Sequence, residues 1–354
     1  ILIFILFGFG LLSLLSVAEG NFNLWPLRHF YRFLIGLLIL FCLSIIDIKY
    51  VFKFAYIVFF LNVIVLALIP FIGTESFGAT RWIKIGGISI QPSEFVKYTL
   101  IIALAKYYHN IQDTNINSLR KLFIPIFFVV IPTIIVFIQP DLGTALVIAL
   151  GSLSIFWVAG LSYRYFIIGG ILGLFSIPIA WQFLREYQKE RVFTFFNPER
   201  DPLGNGYHIL QSKIALGSGG FFGKGYLDGT QSHLNFLPEM HNDFIFTMFG
   251  EEFGFLGSIF LITIYLSIIL FSLRMAASSK SLFARYVSIG VTFVFSLYVI
   301  INISMVMGLL PVVGVPLPFL SYGGSSMLAI MSGIGLLMNC YIYQRTNLEK
   351  GDFF

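Results

Sequence analysis

Apolar residues run along this chain in long blocks separated by short polar stretches. A helix that crosses the hydrocarbon core of a bilayer needs about 20 mostly apolar residues. Blocks of that kind occupy 1–18, 30–46, 51–73, 92–109, 120–138, 142–160, 163–184, 243–273, 283–308 and 320–343. Pro125 and Pro132 in the fifth block and Pro178 in the seventh are expected to kink helices without abolishing them. The pattern predicts an all-α integral membrane protein, one polytopic domain over 1–354, with about ten transmembrane helices. Two stretches depart from it: the polar segment 185–242 between the seventh and eighth blocks, and the proline-interrupted stretch 310–326. No internal repeat is visible, which counts against an inverted-repeat transporter.

Composition supports the bilayer as solvent. Of 354 residues 58% are hydrophobic and 11% charged, against about 25% charged in an average soluble domain. A single water-soluble core of this size could not hide that apolar excess. The net charge of +5 comes from 22 basic residues scattered between the blocks. They form no basic patch, so they report topology and contact with membrane lipids, and no nucleic-acid partner is expected. Cys42 and Cys340 lie inside apolar blocks, so neither a disulfide framework nor a zinc site is supported. The chain opens on Ile1, which implies a short stub ahead of it. Its first apolar block leads into further spans, so no cleavable signal peptide is expected.

Lys49, Lys53, Lys106, Arg120, Lys121, Arg164, Arg274, Lys280, Arg285, Arg345 and Lys350 fall on one side of the predicted bundle. The short loops opposite hold Arg28, Arg32, Arg81 and Lys84. The positive-inside rule therefore places both termini in the cytoplasm and segment 185–242 outside. That segment is rich in Phe, Tyr and Leu and is expected to fold back onto the bundle. Eight glycines fall within 204–229. Gly223-Lys224-Gly225 lacks the Ser or Thr that a phosphate-binding P-loop needs after its lysine, so tight turns are the better reading.

Candidate chemistry gathers at the ends of the blocks. Leu-Pro-Glu-Met-His-Asn-Asp-Phe-Ile-Phe (237–246) brings Glu239, His241 and Asp243 to the start of the eighth span. A carboxylate there would suit the positive end of the helix dipole without any function. Its titratable neighbours shift the balance towards acid–base work. Glu251 and Glu252 follow about 12 Å further along the same helix.

Gly-Ala-Thr-Arg-Trp-Ile-Lys (78–84) precedes Gln-Pro-Ser-Glu-Phe-Val-Lys (91–97). Pro92 and Ser93 suit a helix start, which sets Glu94 and Lys97 on one face. Charges inside a membrane line a cavity or pair with one another; the bland alternative is a salt bridge joining two helices. Arg81 and Lys84, just outside, could meet an anionic headgroup. In Gln-Pro-Asp-Leu-Gly-Thr (139–144), Asp141 reads as a cap for the sixth span. Pro311, Pro316 and Pro318 exclude regular helix through 310–326, which reads as a re-entrant-like wall of a cavity. No zinc-protease, serine-hydrolase or dinucleotide motif is present.

Five of these stretches, in order along the chain, resemble the SEDS family of bacterial shape, elongation, division and sporulation proteins. They are 78–83, 91–94 with Lys97, 139–144, 237–246 and Pro-Leu-Pro-Phe-Leu-Ser-Tyr-Gly-Gly-Ser (316–325). Gly229-Thr-Gln-Ser, Phe236-Leu-Pro-Glu and Val312-Val-Gly-Val-Pro-Leu-Pro lean towards the elongation branch. One departure is Asn242, where the family usually has Thr before its key aspartate.

The resemblance implies a peptidoglycan glycosyltransferase that polymerises lipid II at the outer face of the bacterial cytoplasmic membrane. Asp243 matches the essential acid, and Arg81, Lys84, Glu94, Lys97, Glu239, His241 and Ser321 are expected to bind substrate. The lipid diphosphate leaving group calls for neutralisation by Arg81, Lys84, Lys97 or a divalent cation, Mg or Mn, whose ligands the sequence does not specify. The family's usual partner is a class B penicillin-binding protein, a transpeptidase. Two other functions fit parts of the pattern, a flippase for the lipid-linked precursor and a scaffold for the transpeptidase. The carboxylates and His at one outward helix start favour an enzyme, because a flippase needs its essential charges nearer mid-membrane.

Overall fold

The structure, a computed structural model, describes residues 1–76, 79–85, 88–111, 116–198, 201, 204–230 and 240–349. In chain order its elements are α1 (Leu2–Val17), α2 (Trp25–Ile45), α3 (Ile48–Ile72), β1 (Thr74–Ser76), β2 (Ala79–Ile85), β3 (Ile88–Ile90), α4 (Pro92–Asn110), α5 (Leu119–Ile138), α6 (Leu142–Val158) and α7 (Tyr163–Phe183). Then come α8 (Glu186–Phe196), α9 (Asn205–Ser218), α10 (Ile245–Ser278), α11 (Leu282–Val306) and α12 (Gly324–Ile342). This is the all-α membrane architecture that the apolar blocks predict, with one helix in each block.

The helices α2, α3, α5, α7, α10, α11 and α12 are each long and apolar enough to cross a membrane. Helices α1 and α6 are apolar but shorter, at 16 and 17 residues. Helix α4 carries Glu94, Lys97 and Lys106 within its 19 residues. Helices α8 and α9, within the segment read as a loop, were not predicted, nor were two further features. Helix α2 begins at Trp25, ahead of the block at 30–46, because Pro26 sits in its first turn, where a missing N–H costs nothing. The connection 74–90 forms a small antiparallel sheet in the order β1-β2-β3, with Thr74 opposite Trp82 and Ile83 opposite Ile90. Its β-branched residues suit strands, but β1 and β3 have three residues each, too few to show alternation, and the seven of β2 have no clean period.

The chain forms two compact units. The first comprises Ile1–Ile35, Arg185–Leu270 and Ser296–Met327. Within it, 311–317 is non-helical, as its prolines require, yet Val312, Val315, Leu317, Phe319 and Leu320 are buried. Helix α1 packs against this loop through Gly10, where any side chain would strike the Phe319 carbonyl. Helix α10 is interrupted at Gly254 (φ 68°, ψ −163°), a conformation essentially restricted to glycine. The glycine-rich stretch folds onto that interruption. Lys224 N–H donates to the Glu251 carbonyl at 3.0 Å and Gly225 N–H to the Glu252 carbonyl at 3.1 Å. Gly220, Gly223 and Gly225 all have positive φ, in keeping with tight turns.

The second unit comprises Gly36–Leu184, Phe271–Phe295 and Leu328–Phe354. Helix α4 is its core: every residue from Pro92 to His109 is buried except Phe95. Small residues permit the close packing this requires. Gly333 of α12 makes room for the Tyr98 ring and Gly290 of α11 for Ile101. Helix α7, in contrast, buries none of its residues.

Candidate active site

In the first unit the turn 240–244 delivers Asp243 to the start of α10. The Asp243 carbonyl accepts a 3.1 Å hydrogen bond from Nδ2 of Asn302, on α11. The same amide donates to the Val315 carbonyl at 2.7 Å. Asn302 thus ties the Asp243 backbone to the non-helical loop. A Cβ on Gly314 (φ 74°) would lie 3.6 Å from Oδ2 of Asp243, so the loop backbone passes close beside the carboxylate.

An aromatic and cationic wall begins two residues away. The His241 ring stacks on Trp25 with centroids 4.6 Å apart and lies 5.7 Å from the Tyr322 ring. The His241 carbonyl accepts the Tyr322 N–H at 2.8 Å. The Arg32 guanidinium sits over the Tyr322 ring, 4.3 Å from its centroid. The loop behind this wall is held at several points. His29 Nε2 lies 3.1 Å from the Phe319 carbonyl oxygen, and Tyr265 O–H donates to the Pro318 carbonyl at 2.5 Å. The Ser321 hydroxyl accepts the Leu317 N–H at 2.7 Å. Ser321 therefore closes the turn that presents Tyr322, instead of facing outward. Arg191 of α8 donates to the Val312 carbonyl at 3.2 Å.

Further along α10, Glu251 is fully buried and its Oε1 meets Lys224 Nζ at 2.7 Å and the Thr230 hydroxyl at 3.1 Å. Ser16 of α1 donates to Glu252. These carboxylates fasten α1 and the glycine-rich stretch to α10.

In the second unit the predicted charges form another cluster. Glu94 and Lys97 pair at 2.9 Å, and both are buried. Gln91 donates to Oδ2 of Asp141 at 2.8 Å, while Oδ1 of Asp141 caps α6 by accepting the Thr144 N–H at 3.2 Å, the predicted role. Arg81 Nε donates to the Gln139 carbonyl at 2.8 Å and a terminal nitrogen to the Pro140 carbonyl. Arg81 therefore braces the turn between α5 and α6, a use its position in β2 did not suggest. Lys84 is exposed. Glu239 lies outside the described residues.

Sequence reasoning did not single out Trp25, Arg32, Asn302 or Tyr322 as site residues. Asn302 offered a signal, a polar residue in an apolar block, where such residues tend to have a function. The wall of Trp25, Tyr322 and Arg32 offered none, because its members come from distant parts of the chain. Among the described residues no three His, Cys, Asp or Glu side chains converge as a metal site.

The fold and this site define a polytopic membrane protein with a carboxylate beside an ordered non-helical loop, and a guanidinium and aromatic rings gathered around His241 and Tyr322. Residues 1–346 match the FTSW_RODA_SPOVE family, described as "Cell cycle protein". The chain is 40% identical over 284 residues to the peptidoglycan glycosyltransferase MrdB of Escherichia coli (strain K12), covering 80% of this chain and 76% of that one. It is 35% identical over 337 residues to MrdB of Helicobacter pylori (strain ATCC 700392 / 26695), covering 94% and 87%.

Among solved structures, it superposes with a TM-score of 0.84 and 28% identity on a chain from a study titled "Structural coordination of polymerization and crosslinking by a peptidoglycan synthase complex", covering 98% of this chain and 97% of that one. The rod shape determining protein RodA of Thermus thermophilus matches with a TM-score of 0.75 and 25% identity, covering 98% and 96%. The chain belongs to the FtsW/RodA/SpoVE family.

Proposed function

We propose that this chain polymerises lipid II into β-1,4 glycan strands at the outer face of the bacterial cytoplasmic membrane, serving cell-wall elongation and shape. The observation that carries the reading is Asp243, set at a helix start against the non-helical loop and two residues from His241, in a chain 40% identical to a named peptidoglycan glycosyltransferase. Its first and last residues lie in the cytoplasm and its polar segment 185–242 outside, as the basic residues argue.

The acceptor sugar's hydroxyl is a poor nucleophile, and the Asp243 carboxylate takes its proton as it attacks the donor's anomeric carbon. The new C–O bond forms as the bond to the lipid diphosphate breaks, and a single displacement converts an α-linked donor into a β-linked strand. Charge builds on the departing diphosphate, where a guanidinium held in place needs no reorganisation. Arg32, fixed over Tyr322, fills that part, and the faces of Trp25 and Tyr322 suit sugar rings. Glu94 and Lys97, with exposed Lys84, are assigned to the polar part of the substrate in the second unit, and Arg81 to positioning the turn it braces.

A class B penicillin-binding protein is the proposed partner. A neighbouring structure whose title joins polymerization to crosslinking supports that pairing. The test is to supply labelled lipid II to the purified chain with such a transpeptidase. A glycan ladder that muramidase digests is expected; no polymer under any condition would overturn the reading.

A further inference from the structure

The side chain of Asn302 is completely buried on a membrane-spanning helix. Burying a primary amide in an apolar surround is costly unless its groups are bonded. Here Nδ2 is committed twice, to the carbonyl of Asp243 at 3.1 Å and to that of Val315 at 2.7 Å, whereas Oδ1 has no hydrogen-bond partner among the described residues. A structural polar residue inside a membrane ordinarily satisfies all its groups or gives way to an apolar one. This one tolerates an orphan acceptor and spends both donors on joining two segments. One carries the proposed base; the other carries Gly314, whose backbone passes beside that base.

We propose that Asn302 is a positioning residue for polymerisation, fixing the Asp243 carboxylate against the 311–317 loop without touching substrate. The inference rests on the assignment of Asp243 as the base. Two carbonyls 72 residues apart in sequence (315 − 243 = 72) are held by one planar amide. A donor on each of its two N–H bonds sets both their separation and their angle. Neither an apolar side chain of equal size nor an acid can do this: leucine offers no donor, and a carboxylate faces both carbonyls with lone pairs. Displacing a base by about 1 Å costs on the order of 100-fold in rate without a matching loss of binding. The signature is therefore a fall in kcat at nearly constant KM.

The experiment compares Asn302→Leu, Asn302→Asp and Asn302→Gln in the full chain with its transpeptidase partner, scoring initial rates of polymerisation against lipid II concentration. Thermal unfolding is followed in parallel. Asn339→Leu serves as the control, because Asn339 is equally buried and donates to the carbonyls of Leu43 and Ile46 in the other unit. Asn302→Leu and Asn302→Asp are expected to lower kcat by about 30-fold or more, with KM within about threefold. Asn302→Gln keeps both donors on a longer arm and should recover part of the rate. Asn339→Leu should lose stability to a similar degree while keeping kcat.

If Asn302→Leu keeps its kcat, or loses activity only in proportion to its unfolding as the control does, the inference is wrong. If Asp243→Ala itself still makes polymer, the assignment of the base is what failed, and the two outcomes are read from separate variants.

Discussion

Lys224 reaches from the glycine-rich stretch to Glu251, a carboxylate fully withdrawn from solvent on α10, across 2.7 Å. Thr230 shares the same oxygen at 3.1 Å, so the stretch is fastened to the helix that Asp243 begins. Removing one partner of such a pair strands a buried charge, which costs more than the pair contributes. Lys224→Ala is expected to lower stability by about 3 kcal/mol, and Lys224→Ala with Glu251→Gln to regain much of it. Thermal unfolding in detergent measures both; a single variant as stable as the natural chain would contradict the fastening.

Gly254 gives a sharper case. Its backbone lies where non-glycine residues scarcely go, and a side chain there would run into the Gly223 amide. Gly254→Ala should cost about 2 kcal/mol or more and loosen the 219–225 segment, seen as faster proteolysis there. An unchanged digestion pattern would show that the interruption in α10 is not needed to seat the segment.

The predicted spans, the non-helical stretch at 310–326 and the glycine turns were legible because each follows from a local rule: block length, proline and glycine. The small sheet was not, since β1 and β3 have three residues each and the seven of β2 mix Arg81, Trp82 and Lys84 without a clean alternation. The site was half legible. Asp243 and the Glu94–Lys97 pair stood out as charges at or within apolar blocks. Arg32 and Trp25 did not, because their meaning lies in what they meet more than 200 residues away, and Asn302 offered only its polarity within an apolar block. Arg81 shows the converse limit. Its charge pointed to an anion, and the structure spends two of its nitrogens on carbonyls of a turn.

The Glu94–Lys97 pair separates stability from function. Lys97→Met alone leaves Glu94 buried without its cation and should cost about 3–5 kcal/mol, whereas Glu94→Leu with Lys97→Met should restore most of it. Polymerisation should stay low in the double variant if the charges hold substrate. Full activity there would reduce the pair to a structural bridge.

His208, on α9 outside the spans, is held below its ordinary pKa of 6.5 by burial, with Asp201 pulling partly the other way. The folded state therefore binds its proton less readily than the unfolded chain. Its contribution to stability is present above pH 6.5 and lost as pH falls below that value, where the unfolded chain takes the proton first. His208→Gln should flatten that part of the stability–pH curve; an identical slope would assign the acid sensitivity elsewhere.

Polymerisation by this chain turns on Asp243. The most direct measurement reconstitutes the chain and its transpeptidase in vesicles with labelled lipid II, and follows both glycan polymer and the passage of lipid across the bilayer. Natural protein should make polymer, and Asp243→Ala should make none while folding and binding its partner normally. Polymer from Asp243→Ala, or lipid passage with no polymer from the natural chain, would contradict it.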